Sequence, residues 1–244
     1  NNFYASCERV FNPKLEKKPV IVLSNNDGCV IARSNEVKEM GIKMGEPAFK
    51  IKSIIEKNKI NVFSSNLNLY GDLSNRVMTT FKTEIDKIEV YSIDEAFLDF
   101  SDFADKERAL HIKNKVQKWT GIPICIGVAK TKTLAKVANH IAKKYTKSGV
   151  FILDNEDLVI RTLNFLKVEY LWGIGRKTAK KLNNLGIYTA LQLRKSEPKW
   201  IRKHFSITGL KLQKELKGEV CFPVELSSRR KKNICTARSF AGEI

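Results

Sequence analysis

Clustered histidines, paired cysteines and long apolar runs are what this 244-residue chain lacks. Its three histidines, His111, His140 and His204, share no ligand spacing, and its five cysteines (Cys7, Cys29, Cys125, Cys221, Cys235) form an odd, scattered set without a CxxC. That pattern disfavours both a zinc site and a disulfide framework, and the thiols read as reduced core filler. No run approaches the roughly 18 apolar residues of a membrane helix, and the start NNFYASCE has no basic region ahead of an apolar core, so neither a membrane span nor a signal peptide is expected and the expected location is cytoplasmic. Acid is also scarce: 26 Asp and Glu against 44 Lys and Arg leave a net charge of +18. The cations are spread along the chain rather than held in one tail, and a basic surface of that extent suits a polyanion, most commonly nucleic acid. A hydrophobic content of 43% excludes wholesale disorder, and the length accommodates one large or two to three small domains.

Local patterns divide the chain. Pro19 to Ser24 reads as a buried strand, Asn25 to Gly28 as a turn and Val30 to Arg33 as the returning strand of a hairpin. Ser34 can cap a short helix that ends at Gly41, and Pro47 opens another carrying Phe49, Ile51, Ile54 and Ile55. A long helix is expected from about Leu67 to Asp86, and a later one with Ala109, Ile112, Val116 and Trp119 on one face. The strand Pro123 to Ala129 precedes a helix whose apolar residues Leu134, Val137, Ala138, Ile141 and Ala142 recur at helical spacing. If residues 1 to 3 end a first strand, the order outside the 3–65 insertion is β, α, β, β, α, β, an α+β fold with a ferredoxin-like sheet.

Between those helices lies IEVYSIDEAFLDF, Ile88 to Phe100, in which Asp94 and Glu95 sit at the turn between two apolar strands. A solvated acidic turn is the bland account. Two like charges held together otherwise raise a pKa or recruit a cation. RNA-binding domains of this topology would place a Gly- and Phe-rich pattern on the inner strand, whereas AFLDF lacks the glycines. Phosphoryl transfer instead uses carboxylates to hold two divalent ions about 4 Å apart. Hard oxygen ligands without paired His or Cys point to Mg²⁺.

A second motif, LWGIGRKTAKKLNNLGI, runs from Leu171 to Ile187 with helix-hairpin-helix spacing. Gly173 and Gly175 form the tight hairpin, Ala179 and Leu182 pack the following helix, and Gly186-Ile187 ends it. Glycines admit a phosphate close to the backbone, the helix N-terminus donates amides to it, and Arg176, Lys177 and Lys180 add charge. An αα-hairpin closed by a glycine cap is the structural alternative.

These motifs, with NNFYASCERVF, Val20 to Ser34, GIKMG, YSIDEAFLD, GIPICIGVAKTKTLAKVAN and WGIG, give the chain a whole-length resemblance to the Y-family translesion DNA polymerases, most closely the UmuC-like branch, the catalytic subunit of bacterial DNA polymerase V. The resemblance implies a palm of residues 1–2 and 66–145, fingers of 3–65, a helical thumb of 146–223, and a linker with the start of a little finger over 224–244. It implies template-directed, error-prone synthesis past lesions in the SOS response, with two Mg²⁺ ions. The implied partners are primer-template DNA, a deoxynucleoside triphosphate, a UmuD-like accessory protein, a RecA filament and a sliding clamp. A DNA-binding module that keeps the fold without the chemistry is the alternative.

By position, the resemblance makes Asp94 the ligand bridging both metals and Glu95 the ligand of the one nearer the primer terminus. Asn2, Phe3 and Tyr4 match the segment whose amides hold the triphosphate, with Tyr4 as the steric gate against a ribose 2′ hydroxyl; by spacing alone Tyr4 is a core aromatic beside Cys7 and Phe11. Lys38 and Lys136 match triphosphate-binding cations. Asn35 stands where many relatives carry a triphosphate-contacting Tyr and receives no role. Arg33 or Ile31 lines the roof over the incoming base. The sequence opens at the first Asn of the family's Asp-x-Asn-Asn-Phe-Tyr pattern, so it omits one implied ligand, and residues 1–244 alone are expected to fold without polymerising.

Overall fold

In the computed structural model, residues 2–100, 105–226 and 233 are described. The chain opens with helix α1 (Phe3–Val10), followed by strands β1 (Val20–Leu23) and β2 (Val30–Arg33) and short helices α2 (Asn35–Glu39) and α3 (Lys52–Lys57). Strand β3 (Asn61–Ser64), helix α4 (Leu67–Lys82), strands β4 (Ile88–Ser92) and β5 (Glu95–Leu98) and helix α5 (Lys106–Thr120) come next. Then follow β6 (Ile126–Ala129), α6 (Lys132–Tyr145), β7 (Val150–Leu153), α7 (Glu156–Phe165), α8 (Arg176–Asn184), α9 (Ala190–Lys195) and α10 (Pro198–Leu216). Among the described residues, no helix is long and apolar enough to cross a membrane.

Two compact units result, one of residues up to Ala96 with Lys115–Pro123, the other of Phe97–Asn114 and Ile124–Glu225. In the first, β1 is the middle strand of the order β2-β1-β3, antiparallel to β2 and parallel to β3. Its four residues VIVL are all buried, as expected of a strand covered on both faces. Ile21, Leu23, Val30, Val37, Ile42, Ile51 and Ile60 fill one core, and Ala5, Leu15 and Val20 another. The expected hairpin and the helix opened by Asn35 are present. Ser34, however, does not cap α2 with its side chain; its hydroxyl accepts from the Val20 amide at 3.1 Å, across the sheet. Trp119 also departs from its expected face and is 59% exposed, with the Lys115 ammonium 4.5 Å from its ring centre and paired to Glu84.

In the second unit, β6 and β7 are parallel and joined by α6, a βαβ crossover. Gly127 lets α6 lie directly on β6: a Cβ there would stand 2.0 Å from the Asn139 amide nitrogen. Leu134, Val137, Leu153, Leu163, Leu182 and Leu216 belong to one core that ties this crossover to the later helices. Ser206, at φ 64°, ψ −172°, breaks α10 into two segments.

Of the expected β, α, β, β, α, β order, α4, β4, β5, α5 and β6 are present in sequence, and no strand precedes α1 among the described residues. The described strands form sheets of three, two and two strands. Asn2 contributes no strand because it is the N-cap of α1, at φ −113°, ψ −5°, and Phe3 is already helical. The Asn2 side chain makes no cap hydrogen bond, and the apolar spacing that follows it suits a helix. The expected boundary at 145/146 falls inside the β6–α6–β7 crossover. The basic tether and first little-finger strand lie outside the described residues, apart from Asn233.

Candidate active site

The first unit holds half of the predicted site residues: Asn2, Phe3, Tyr4, Lys38, Asp94 and Glu95. The two-residue link Ile93-Asp94 joins β4 to β5, a connection short enough only for antiparallel strands, so Asp94 occupies the turn and Glu95 begins the returning strand. The Ser92 hydroxyl donates to Asp94 Oδ1 at 2.8 Å and aims that carboxylate. A cavity of about 130 Å³ is lined by Phe3, Tyr4, Ile31, Ala32, Ile93 and Asp94. Helix α1, strand β2 and the acidic turn thus converge on one opening.

Tyr4 is half-buried there, and its hydroxyl pKa is raised, first by burial, then by the negative charge of Asp94, then by Cys7. Phe11, its expected core neighbour, is 62% exposed. The partner is Tyr70 of α4, whose ring lies 4.2 Å from that of Tyr4 at an interplanar angle of 15°. Tyr70 is fully buried and its hydroxyl donates to Glu8 at 2.6 Å. Burial and then Glu8 push its pKa up. Nothing local marked Tyr70, which reads as one more apolar position of a long helix. Cys7 is also buried, and burial followed by Glu8 pushes its thiol up to about 12, as suits an inert core cysteine.

Of the two candidates for the roof, Ile31 lines the cavity, whereas the Arg33 guanidinium donates to the Ile42 carbonyl. Asn2, which precedes Phe3 in the chain, joins a polar cluster: Asn2 Nδ2 donates to Asn35 Oδ1 at 2.8 Å, and Lys38 Nζ donates to Asn2 Oδ1 and, at 3.4 Å, to Asn35 Oδ1. Asn35, given no role from sequence, therefore joins Asn2 to Lys38; its one trace in the sequence is the i, i+3 spacing to Lys38 on α2. Glu36, on the same helix, is held low: burial opposes this, but hydrogen bonds from Ser34, its own backbone and Arg9 prevail.

The remaining predicted residues belong to the second unit. Lys136 is half-buried on α6. Gly173 (φ 83°) and Gly175, the N-cap of α8, are exposed, as are Arg176, Lys177 and Lys180, while Ala179 and Leu182 face the core. The element ahead of the hairpin is a single 3-10 turn, Val168–Tyr170, rather than a full helix.

Among the described residues no three His, Cys, Asp or Glu side chains are grouped to hold a metal. Asp94 and Glu95 offer the hard oxygens that Mg²⁺ prefers, so they fit that ion in donor chemistry, while a pair of ions needs further oxygens.

Residues 1–140 match the family model described as IMS, the impB/mucB/samB family. Protein UmuC of Salmonella typhimurium is 47% identical over 252 aligned positions, which take in 100% of this chain and 59% of that protein. The crystal structure of DinB from Sulfolobus solfataricus superposes with a TM-score of 0.76 at 30% identity, over 92% of this chain and 67% of that one. The insertion ternary complex of Dbh DNA polymerase gives 0.76 at 31% identity, over 91% and 67%. The chain spans about 59% of the length of the curated relatives it matches.

Proposed function

Because the chain belongs to the impB/mucB/samB family, we propose that it is the catalytic part of a template-directed, error-prone DNA polymerase for translesion synthesis. The observation that carries this reading is the cavity where Tyr4 and Asp94 face one opening with Ile31. An aromatic ring beside a carboxylate suits a nucleotide whose sugar lies on the ring and whose reacting phosphate lies near the acid.

In this reading Asp94 and Glu95 hold Mg²⁺, with Asp94 aimed by Ser92. Mg²⁺ held by these two carboxylates would supply Lewis-acid activation of the primer hydroxyl and charge compensation at the leaving pyrophosphate. Tyr4, backed by Tyr70, rejects a ribose 2′ hydroxyl by contact. The amides of Asn2, Phe3 and Tyr4, with Lys38, bind the triphosphate, and Asn35 holds Asn2 and Lys38 in place; by family resemblance alone, Lys136 of the second unit is also a triphosphate-binding cation.

The thumb, 146–223, tracks duplex DNA through the glycine hairpin. Arg176 and Lys177 sit in the first turn of α8 with no acid, where cations oppose the helix dipole. A phosphate at that end removes the conflict. A Cβ at Gly175 would meet nothing within 4 Å, and its φ is −82°, so the fold itself does not demand glycine there. Close approach by a DNA backbone supplies the reason. The palm is assigned to 1–2 and 66–145, the fingers to 3–65 and the linker to 224–244. By family, a UmuD-like protein, a RecA filament and a sliding clamp are the expected cytoplasmic partners.

Primer extension by the full-length protein on undamaged and abasic templates tests this. Extension that needs Mg²⁺ and both acids supports it, whereas DNA binding without any extension favours a non-catalytic module.

A further inference from the structure

The second unit carries an exposed aromatic cluster that the polymerase reading leaves unused. His140 and Tyr145 lie on α6, Phe165 ends α7, and Tyr170 closes the 3-10 turn before the glycine hairpin. Their rings touch in series: Tyr145 meets Phe165 edge-on at 5.1 Å, and His140 stands 6.5 Å from Tyr145 and 5.0 Å from Tyr170. Phe165 is 61% exposed, Tyr145 57% and Tyr170 47%. Single exposed rings are ordinary, but a contiguous exposed group marks a contact surface.

Charge indicates the occupant. The Lys144 ammonium stands 4.7 Å from the Tyr170 ring centre. His140 is held below its ordinary pKa, first by burial and then by the positive charges of Lys144 and Lys143. Among the described residues no ion pair takes up Lys143 or Lys144. The one acid adjacent in sequence to any of the four rings is Glu169. Aromatic faces flanked by unneutralised lysines match bases with phosphates between them. A duplex hides its base faces within the stack, whereas an unpaired strand presents them. A Pro-rich peptide also docks on aromatic rings, but it brings no phosphates to meet the flanking lysines.

We propose that His140, Tyr145, Phe165 and Tyr170, with Lys143 and Lys144, form a stacking platform for single-stranded nucleic acid, separate from the glycine hairpin. The ligand class rests on the nucleic-acid function proposed above, but the platform needs neither the acids nor a nucleotide.

Anisotropy of a labelled oligo(dT) of about 16 nucleotides, titrated with the full-length protein beside a blunt duplex, tests it. Tyr145→Ala with Tyr170→Ala is expected to weaken oligo(dT) binding on the order of 10-fold while duplex affinity holds. Tyr145→Phe with Tyr170→Phe is expected to keep the original affinity, because stacking needs the ring and not the hydroxyl. Unchanged oligo(dT) binding by the Ala pair overturns the proposal, including where that pair alters self-association and so marks a protein-docking face. Equal losses on duplex and single strand overturn it too. No insertion is measured, so a negative result here leaves the polymerase reading intact, and inactivity of the polymerase leaves the platform intact.

Discussion

Tyr4 lies stacked on Tyr70, ring centres 4.2 Å apart, with the Tyr70 hydroxyl anchored on Glu8. The pair makes a rigid wall out of a side chain that on α1 alone could swing between rotamers. Removing the Tyr4 ring, as Tyr4→Ala, should raise ribonucleotide incorporation on the order of 10-fold or more, equivalent to about 1.4 kcal/mol of lost discrimination. Tyr70→Ala should relax sugar selectivity in the same direction by a smaller factor, and Tyr70→Phe should not. Competitive insertion of ribo- and deoxynucleotides checks all three. An unchanged preference in Tyr4→Ala would return Tyr4 to a packing role.

Asp94→Asn keeps the shape and the Ser92 contact but removes the charge. Nucleotide insertion by the full-length protein should be abolished, with primer-template affinity held within a few-fold. Single-turnover insertion measured beside equilibrium binding separates the two. Joint loss would contradict the assigned role.

Neutralising Arg176, Lys177 and Lys180 should weaken binding to all DNA sequences alike. The slope of log affinity against log salt should flatten by roughly 0.9 for each duplex phosphate that the protein no longer neutralises. A loss that depends on sequence would argue against a backbone-reading hairpin.

Gly127→Ala should destabilise the protein by about 3 kcal/mol or more, because its Cβ would meet backbone rather than a movable side chain. The contacts are the Asn139 amide nitrogen at 2.0 Å and the Ala135 carbonyl oxygen at 2.5 Å. Its φ is not positive, so crowding alone is the cause. The expected fall in Tm is about 6–12 °C, read by thermal unfolding.

Glu215 is fully buried, and its carboxylate accepts from the amides of Thr133 (3.0 Å), Cys221 (2.7 Å) and Phe222 (3.0 Å). Glu215→Ala strands three donors, at about 1–3 kcal/mol for each that stays dry. Hydrogen exchange at Cys221 and Phe222 should accelerate selectively, while substitution of the exposed Glu219 should leave those amides protected.

What the residues determine alone is short-range. The NNDG turn between VIVL and VIAR, the apolar stripe of α6, the acids at a strand junction and the glycine hairpin are all legible, because each depends on neighbours within one turn or one strand. Ser34 and Trp119 show the limit: both obey local rules for a cap and a core face, yet a cross-sheet amide and a lysine decide their surroundings. The parallel pairings β1–β3 and β6–β7, the Tyr4–Tyr70 stack, the Asn2–Asn35–Lys38 cluster and the Glu215 clasp on Thr133, 82 residues away, were decided by tertiary structure. Such contacts form only after long loops close, and many partners of equal propensity compete for them. The identity of the acids is therefore written in the sequence, while what stands beside Tyr4 and which side chains order the cavity follow from packing.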